Sequence, residues 1–202
     1  MVRKNFMFVS VVVLTASASA FGDWTYDSGT GHWYALTNPG TWAQAETDAV
    51  AAGGHLVTVN DAAEDQWLYD TFSPGAVDWV GWIGLYQDLN DPSCAPSCEP
   101  AGGWKWISGD PVGYTNWQGQ EPNNQGAEDW AVLEVGFPPL QWNDIGPTSA
   151  SYPVGGIRGI IEREVDPAVP TVSEWGIVVM TLLTLAAGTI ILVRGRLGIV
   201  RK

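Results

Sequence analysis

An α+β domain is the fold class this sequence predicts. Three observations point there: two capped helix signatures close together early in the chain, apolar β-rich runs after them, and one long polar loop. Taking the elements in order, Thr41 reads as a helix cap with Gln44 at the reciprocal position. The alanine-rich segment that follows stops at Gly53-Gly54, a C-terminal signal. His55-Leu56-Val57-Thr58-Val59 alternates as a short strand. Asp61 and Glu64 form a second capping box, opening a helix through Trp67, Leu68 and Phe72. Residues 79–85 are an apolar run suited to a buried strand. After Tyr86 the chain is loop-like to about Asn124, and shorter strands are predicted at 130–135 and 159–164.

A structureless loop of that length is either functional or a misassigned element. Trp104, Trp106 and Trp117 lie within it. They could pin the loop by burying large apolar area, or form a surface platform for sugars.

Both ends of the chain read as targeting segments. Residues 1–20 resemble a secretory signal: Arg3 and Lys4, an apolar run, then Ala18-Ser19-Ala20 as cleavage site. An N-terminal membrane anchor is the alternative. Residues 177–193 carry no charge and are about the minimum length for a spanning helix. Arg194, Arg196, Arg201 and Lys202 follow, which places the tail at 194–202 in the cytoplasm. Within the preceding linker, 166–176, Val169-Pro170-Thr171-Val172 resembles a bacterial sorting signal of the Ile-Pro-Thr-Leu type. That resemblance implies removal of the helix by an exosortase-like protease and display on the cell surface; a permanent tail anchor is the other reading. The domain itself is expected over 21–165.

The chain carries a formal charge of −13, and six of its nine basic residues sit in those ends. Only Lys105, Arg158 and Arg163 remain in the middle, so the domain would repel phosphate backbones and nucleic acid is not an expected partner. Cys94 and Cys98 are the only cysteines, and in an exported chain they are expected to form a small local disulfide.

Glu121-Pro122-Asn123, Glu128-Asp129 and Trp142-Asn143-Asp144 together hold four acids and two carboxamides. No lysine or arginine lies between Lys105 and Arg158 to neutralise them. Hard oxygen ligands without a cation partner favour Ca²⁺ over zinc or iron.

With Gly53-Gly54-His55-Leu56-Val57, Trp82-Ile83-Gly84-Leu85 and Tyr114-Thr115-Asn116-Trp117, these strings make the chain resemble the C-type lectin-like domain over 33–164. The resemblance implies two helices, small antiparallel sheets and a long calcium-binding loop. It implies Glu121, Asn123, Glu128, Asn143 and Asp144 as calcium ligands, with a cis peptide before Pro122. Calcium takes about 6 to 8 oxygens, so five side chains leave positions that a vicinal sugar diol can fill. Each hydroxyl can then donate to Glu121 or Glu128 and accept from Asn123 or Asn143. In the family, Glu-Pro-Asn goes with mannose, glucose, N-acetylglucosamine and fucose. The family's four usual cysteines are missing: the matching positions hold Ala49, Trp130, Pro147 and Ile161, which implies a packed rather than stapled core. An auxiliary calcium site would need Asn124, Asp129 and acids at 88–91, and is not counted on.

The function expected is therefore calcium-dependent binding of glycans by an exported surface protein, tied to the membrane by its C-terminal helix before processing. The alternative is an adhesion module that binds protein ligands and uses calcium only structurally. No catalytic residue is assigned. His32 and His55 are the only histidines, and although Glu128 and Asp129 could do glycosidase chemistry, calcium explains more of their neighbours.

Overall fold

The computed structural model describes residues 23–73, 79–94, 97–135, 141–147 and 156–167, with Leu182. The segments read as leader, sorting motif, membrane helix and basic tail lie outside the described residues, Leu182 apart. Among the described residues no helix is long and apolar enough to cross a membrane.

The chain runs β1 (Thr25–Tyr26), β2 (Trp33–Gly40), α1 (Trp42–Ala51), β3 (His55–Leu56), α2 (Ala62–Phe72) and β4 (Trp79–Gln87). A 3-10 turn (Pro92–Cys94) leads to β5 (Trp104–Trp106), β6 (Trp130–Val135), β7 (Gln141–Ile145) and β8 (Ile157–Arg163). The strands form one sheet in the order β1-β2-β8-β4-β6-β7, with β3 on β8 and β5 on β4. Every pairing is antiparallel except β4 with β8. The expected α+β class holds, but the small antiparallel sheets are joined into one mixed sheet by that parallel seam.

Both helix starts follow the cap chemistry, though each box is half-formed. Thr41 Oγ1 accepts from Gln44 N at 3.2 Å, while the Gln44 side chain turns outward to Asp48. Asp61 accepts from Ala63 N and Glu64 N, both at 2.9 Å. Glu64 reaches one residue further back, accepting from Asn60 N at 2.8 Å and from Tyr34 O–H at 2.8 Å. Helix α1 buries Trp42, Ala45 and Ala49, a spacing that puts them on one face.

The long loop is shorter than the sequence implies. Strand β4 continues to Gln87, and β5 pairs with it (Leu85↔Trp106), because Trp106 belongs to the core at 2% exposure. Trp104 and Trp117 meet at a tilt, ring centroids 4.8 Å apart, and pack partly buried on the same cluster, so these rings pin the loop. Cys94 and Cys98 form a disulfide, and Gln87 Nε2 donates to the carbonyls of Cys98, Pro100 and Gly102 around it. At two of the positions where cysteines are missing, Ala49 and Ile161 pack fully buried with Ala35.

Gly54 sets how closely α1 and β3 approach β8. A Cβ there would stand 2.1 Å from the Glu162 carbonyl oxygen. Gly54→Ala is therefore expected to cost about 1–3 kcal/mol of stability, read as a lowered Tm. An unchanged melting curve would contradict this close approach.

Candidate functional site

Two elements meet at the acid–amide cluster: the end of the long loop and strand β7. The loop runs beside the strand, with Trp142 N donating to Asn116 O at 2.7 Å and Gln118 N to Trp142 O at 2.8 Å. Glu121 N then donates to Gln118 O at 2.8 Å, which turns the chain into a cis Glu121–Pro122 peptide, as the resemblance implies. Further on, Asp144 accepts from Asn123 N at 3.1 Å and Asn124 N at 2.9 Å. Asp144 is 1% exposed, so the loop is fastened to a buried carboxylate.

The next turn is knitted by its own side chains. Gln125 N donates to Asn123 Oδ1 at 2.9 Å and to Glu128 Oε2 at 2.7 Å, while Asn124 Oδ1 accepts from Glu128 N at 2.9 Å. Asn124 has φ +52°, a left-handed conformation that asparagine tolerates. Asn143 lies opposite Val132 and Asp144 opposite Ala131 on the β7–β6 ladder.

The structure thus brings Glu121, Asn123, Glu128 and Asp144 to one place, with Asn143 adjacent on β7. Burial pushes the Glu121 carboxyl up to about 7, helped by a hydrogen bond and charge from Asp144 and by the charge of Glu128. Burial, then Asp144, also raises Glu128 and Asp129. Glu121 Oε2 and Asp129 Oδ1 are buried with no hydrogen-bond partner. Such atoms are costly unless something positive meets them.

Among the described residues no three His, Cys, Asp or Glu side chains are arranged to hold a metal by themselves. The expected ligand set is of a different kind, since two of its five members are carboxamides. Asp144 already accepts two backbone N–H bonds, yet each carboxylate oxygen keeps a further lone pair. The orphaned Glu121 oxygen and an all-oxygen donor set fit calcium. The acids at 88–91 do not offer a second site: Lys105 Nζ sits 2.8 Å from both Asp88 Oδ2 and Asp91 Oδ2. Its hydrogen bonds hold both carboxyls below their ordinary range.

Sequence reading missed one contributor, Asp65 on α2. It accepts from Trp142 Nε1 at 3.1 Å, Asn116 Nδ2 at 2.7 Å and Tyr114 O–H at 3.1 Å. The available signal was an aspartate three residues before Leu68 on the buried face of an amphipathic helix.

The family model described as the lectin C-type domain matches residues 38–154. A perlucin-like protein of Mytilus galloprovincialis is 28% identical over 110 residues, covering 52% of this chain and 61% of that protein. A type-2 ice-structuring protein of Brachyopsis segaliensis is 32% identical over 84 residues, covering 42% of this chain and 41% of that protein. The chain therefore spans less than two-thirds of these curated relatives. Among solved structures, the mouse scavenger receptor C-type lectin carbohydrate-recognition domain matches with TM-score 0.53 and 28% identity, over 73% of this chain and 97% of that one.

Proposed function

We propose, from the premise that this chain belongs to the C-type lectin domain family, that it binds glycans through calcium at the Glu121–Asp144 cluster. The family is one of non-enzymatic carbohydrate-binding domains, and the assignment of no catalytic residue accords with it. The observation that carries the calcium reading is the buried, partnerless Glu121 Oε2 beside Asp144 and Glu128. Glu121, Asn123, Glu128, Asn143 and Asp144 would hold the ion. Bound calcium would neutralise these acids and offer open coordination positions to hydroxyl oxygens. Glu121 and Glu128 would accept hydrogen bonds from a sugar diol, and Asn123 and Asn143 would donate to it. The Glu121-Pro122-Asn123 triplet favours mannose-type sugars, N-acetylglucosamine and fucose.

The site would work outside the cell, where calcium is available; the leader-like start and the sorting-type end of the sequence support export. A second reading, calcium as a purely structural element of an adhesion module, draws on the burial of Asp144 and its two backbone bonds. The test is a glycan array carrying mannan and fucosylated glycans, probed with and without EDTA. Binding in calcium that disappears in chelator is expected. Equal signals in both would remove the mechanism. A calcium-raised Tm with no glycan bound would favour the adhesion module.

A further inference from the structure

We infer that Asp65 is a positioning residue for the ligand set, an inference that rests on the calcium site proposed above. Asp65 is 2% exposed and sits on α2, outside the loop and the strand that carry the ligands. Its carboxylate nonetheless takes all three of its side-chain hydrogen bonds from those two segments. Oδ1 accepts from the Trp142 indole, one residue before Asn143. Oδ2 accepts from Asn116 and Tyr114, on the stretch of loop that leads to Glu121.

The loop is tied to β7 in two regions among the described residues, with the Gln141 side chain adding a bond to Trp117 O at 3.2 Å in the outer one. One is Asp144 with Asn123 and Asn124, inside the ligand set. The other is the pair of backbone bonds between Trp142 and residues Asn116 and Gln118, outside it. Asp65 bonds both sides of that outer tie through a single carboxylate, so it fixes the strand and loop relative to each other. Trp142 is held there further by edge-on contacts with Trp106, Tyr114 and Trp117 at 5.6–5.8 Å. A shift of the indole would move Asn143 and Asp144 along the same backbone, away from Glu121.

The chemistry requires a carboxylate. Asparagine at position 65 offers one acceptor oxygen and one amide that only donates, so either the indole N–H, which cannot accept, meets a donor, or Asn116 and Tyr114 must turn from donating to accepting. One of the two segments would lose its anchor while side-chain volume stayed the same.

The test compares Asp65→Asn with Leu68→Ala in the full chain. Leu68 is fully buried on the same helix, in the core cluster that also holds Trp142, but no hydrogen bond joins its side chain to the loop or to β7, so its loss removes packing and leaves the Asp65 bonds in place. Titration with CaCl2 is expected to give about tenfold weaker binding for Asp65→Asn, as for other residues that orient metal ligands, and an unchanged affinity for Leu68→Ala. Tyr114→Phe removes one donor and should weaken binding about threefold; it decides the matter if Asp65→Asn does not fold. Hydrogen exchange of the Asn123 and Asn124 amides in EDTA gives a metal-free readout, with protection lost in Asp65→Asn and kept in Leu68→Ala. If the two variants are alike in both measurements, Asp65 merely stabilises α2 and the inference is overturned. Absence of calcium binding by the unmodified protein would instead remove the proposed function, and the amide readout would still decide the role of Asp65.

Discussion

Asp144→Ala is expected to abolish chelator-reversible glycan binding and to weaken calcium binding by at least about 100-fold. Two losses coincide at this residue. One is a proposed ligand oxygen beside Glu121. The other is the acceptor for Asn123 N and Asn124 N, the bonds that shape the turn between the ligands of the triplet and Glu128. Leaving these part-buried N–H groups unpaired costs about 1 kcal/mol each, so the metal-free protein should also melt lower. Asp144→Asn separates the two effects. It keeps one acceptor oxygen for the turn but removes the charge, so calcium affinity should fall with a smaller loss of Tm in EDTA. Calorimetry with CaCl2 and thermal melts in chelator provide both numbers. A calcium affinity unchanged by the alanine variant would mean that these acids do not converge on one ion.

What could be read from the sequence was local. Thr41 and Asp61 cap their helices because a cap is decided within three residues, and the motif strings of the site are short for the same reason. Strand β2 was not legible: it contains Asn38-Pro39-Gly40, which reads as a turn, and it pairs with β8 only through a register shift between Leu36 and Pro39. Strand β7 hides differently. Gln141-Trp142-Asn143-Asp144-Ile145 is too polar to stand as a strand alone, and pairing with β6 from Trp130↔Ile145 to Glu134↔Gln141 makes it one. The contacts that organise the site were equally invisible, because they are distant in sequence. Asp65 and Trp142 are 77 residues apart, and Lys105 meets Asp88 across 17. No spacing rule reports a salt bridge that fills what would otherwise be a second acidic cation site.

Calcium affinity is expected to fall about tenfold per pH unit below pH 7, reaching about 100-fold at pH 5. In the metal-free site burial and Asp144 hold the Glu121 carboxyl at about 7, and calcium requires it ionised, so binding must displace a proton below that pH. The same shift controls folding with the opposite sign. A carboxyl whose folded pKa is raised from 4.5 to about 7 stabilises the metal-free fold fully below pH 4.5, and that contribution is lost as pH rises through 7. Burial raises Glu46, Glu64, Asp65, Glu128 and Asp129 in the same direction. Asp88 and Asp91 are lowered by Lys105, so they are ionised in both states across this window and contribute no slope to it. The Tm in EDTA should therefore decrease from pH 5 to pH 7.5, whereas saturating CaCl2 should remove the share of that decrease due to Glu121, because the bound ion keeps its carboxylate ionised across the window. Glu121→Gln should flatten the trend in chelator by removing the carboxyl that burial and Asp144 raise to about 7. Melting curves that rise with pH in chelator would mean that the Glu121 carboxyl is solvated rather than buried against Asp144, and the need for a cation at that oxygen would go with it.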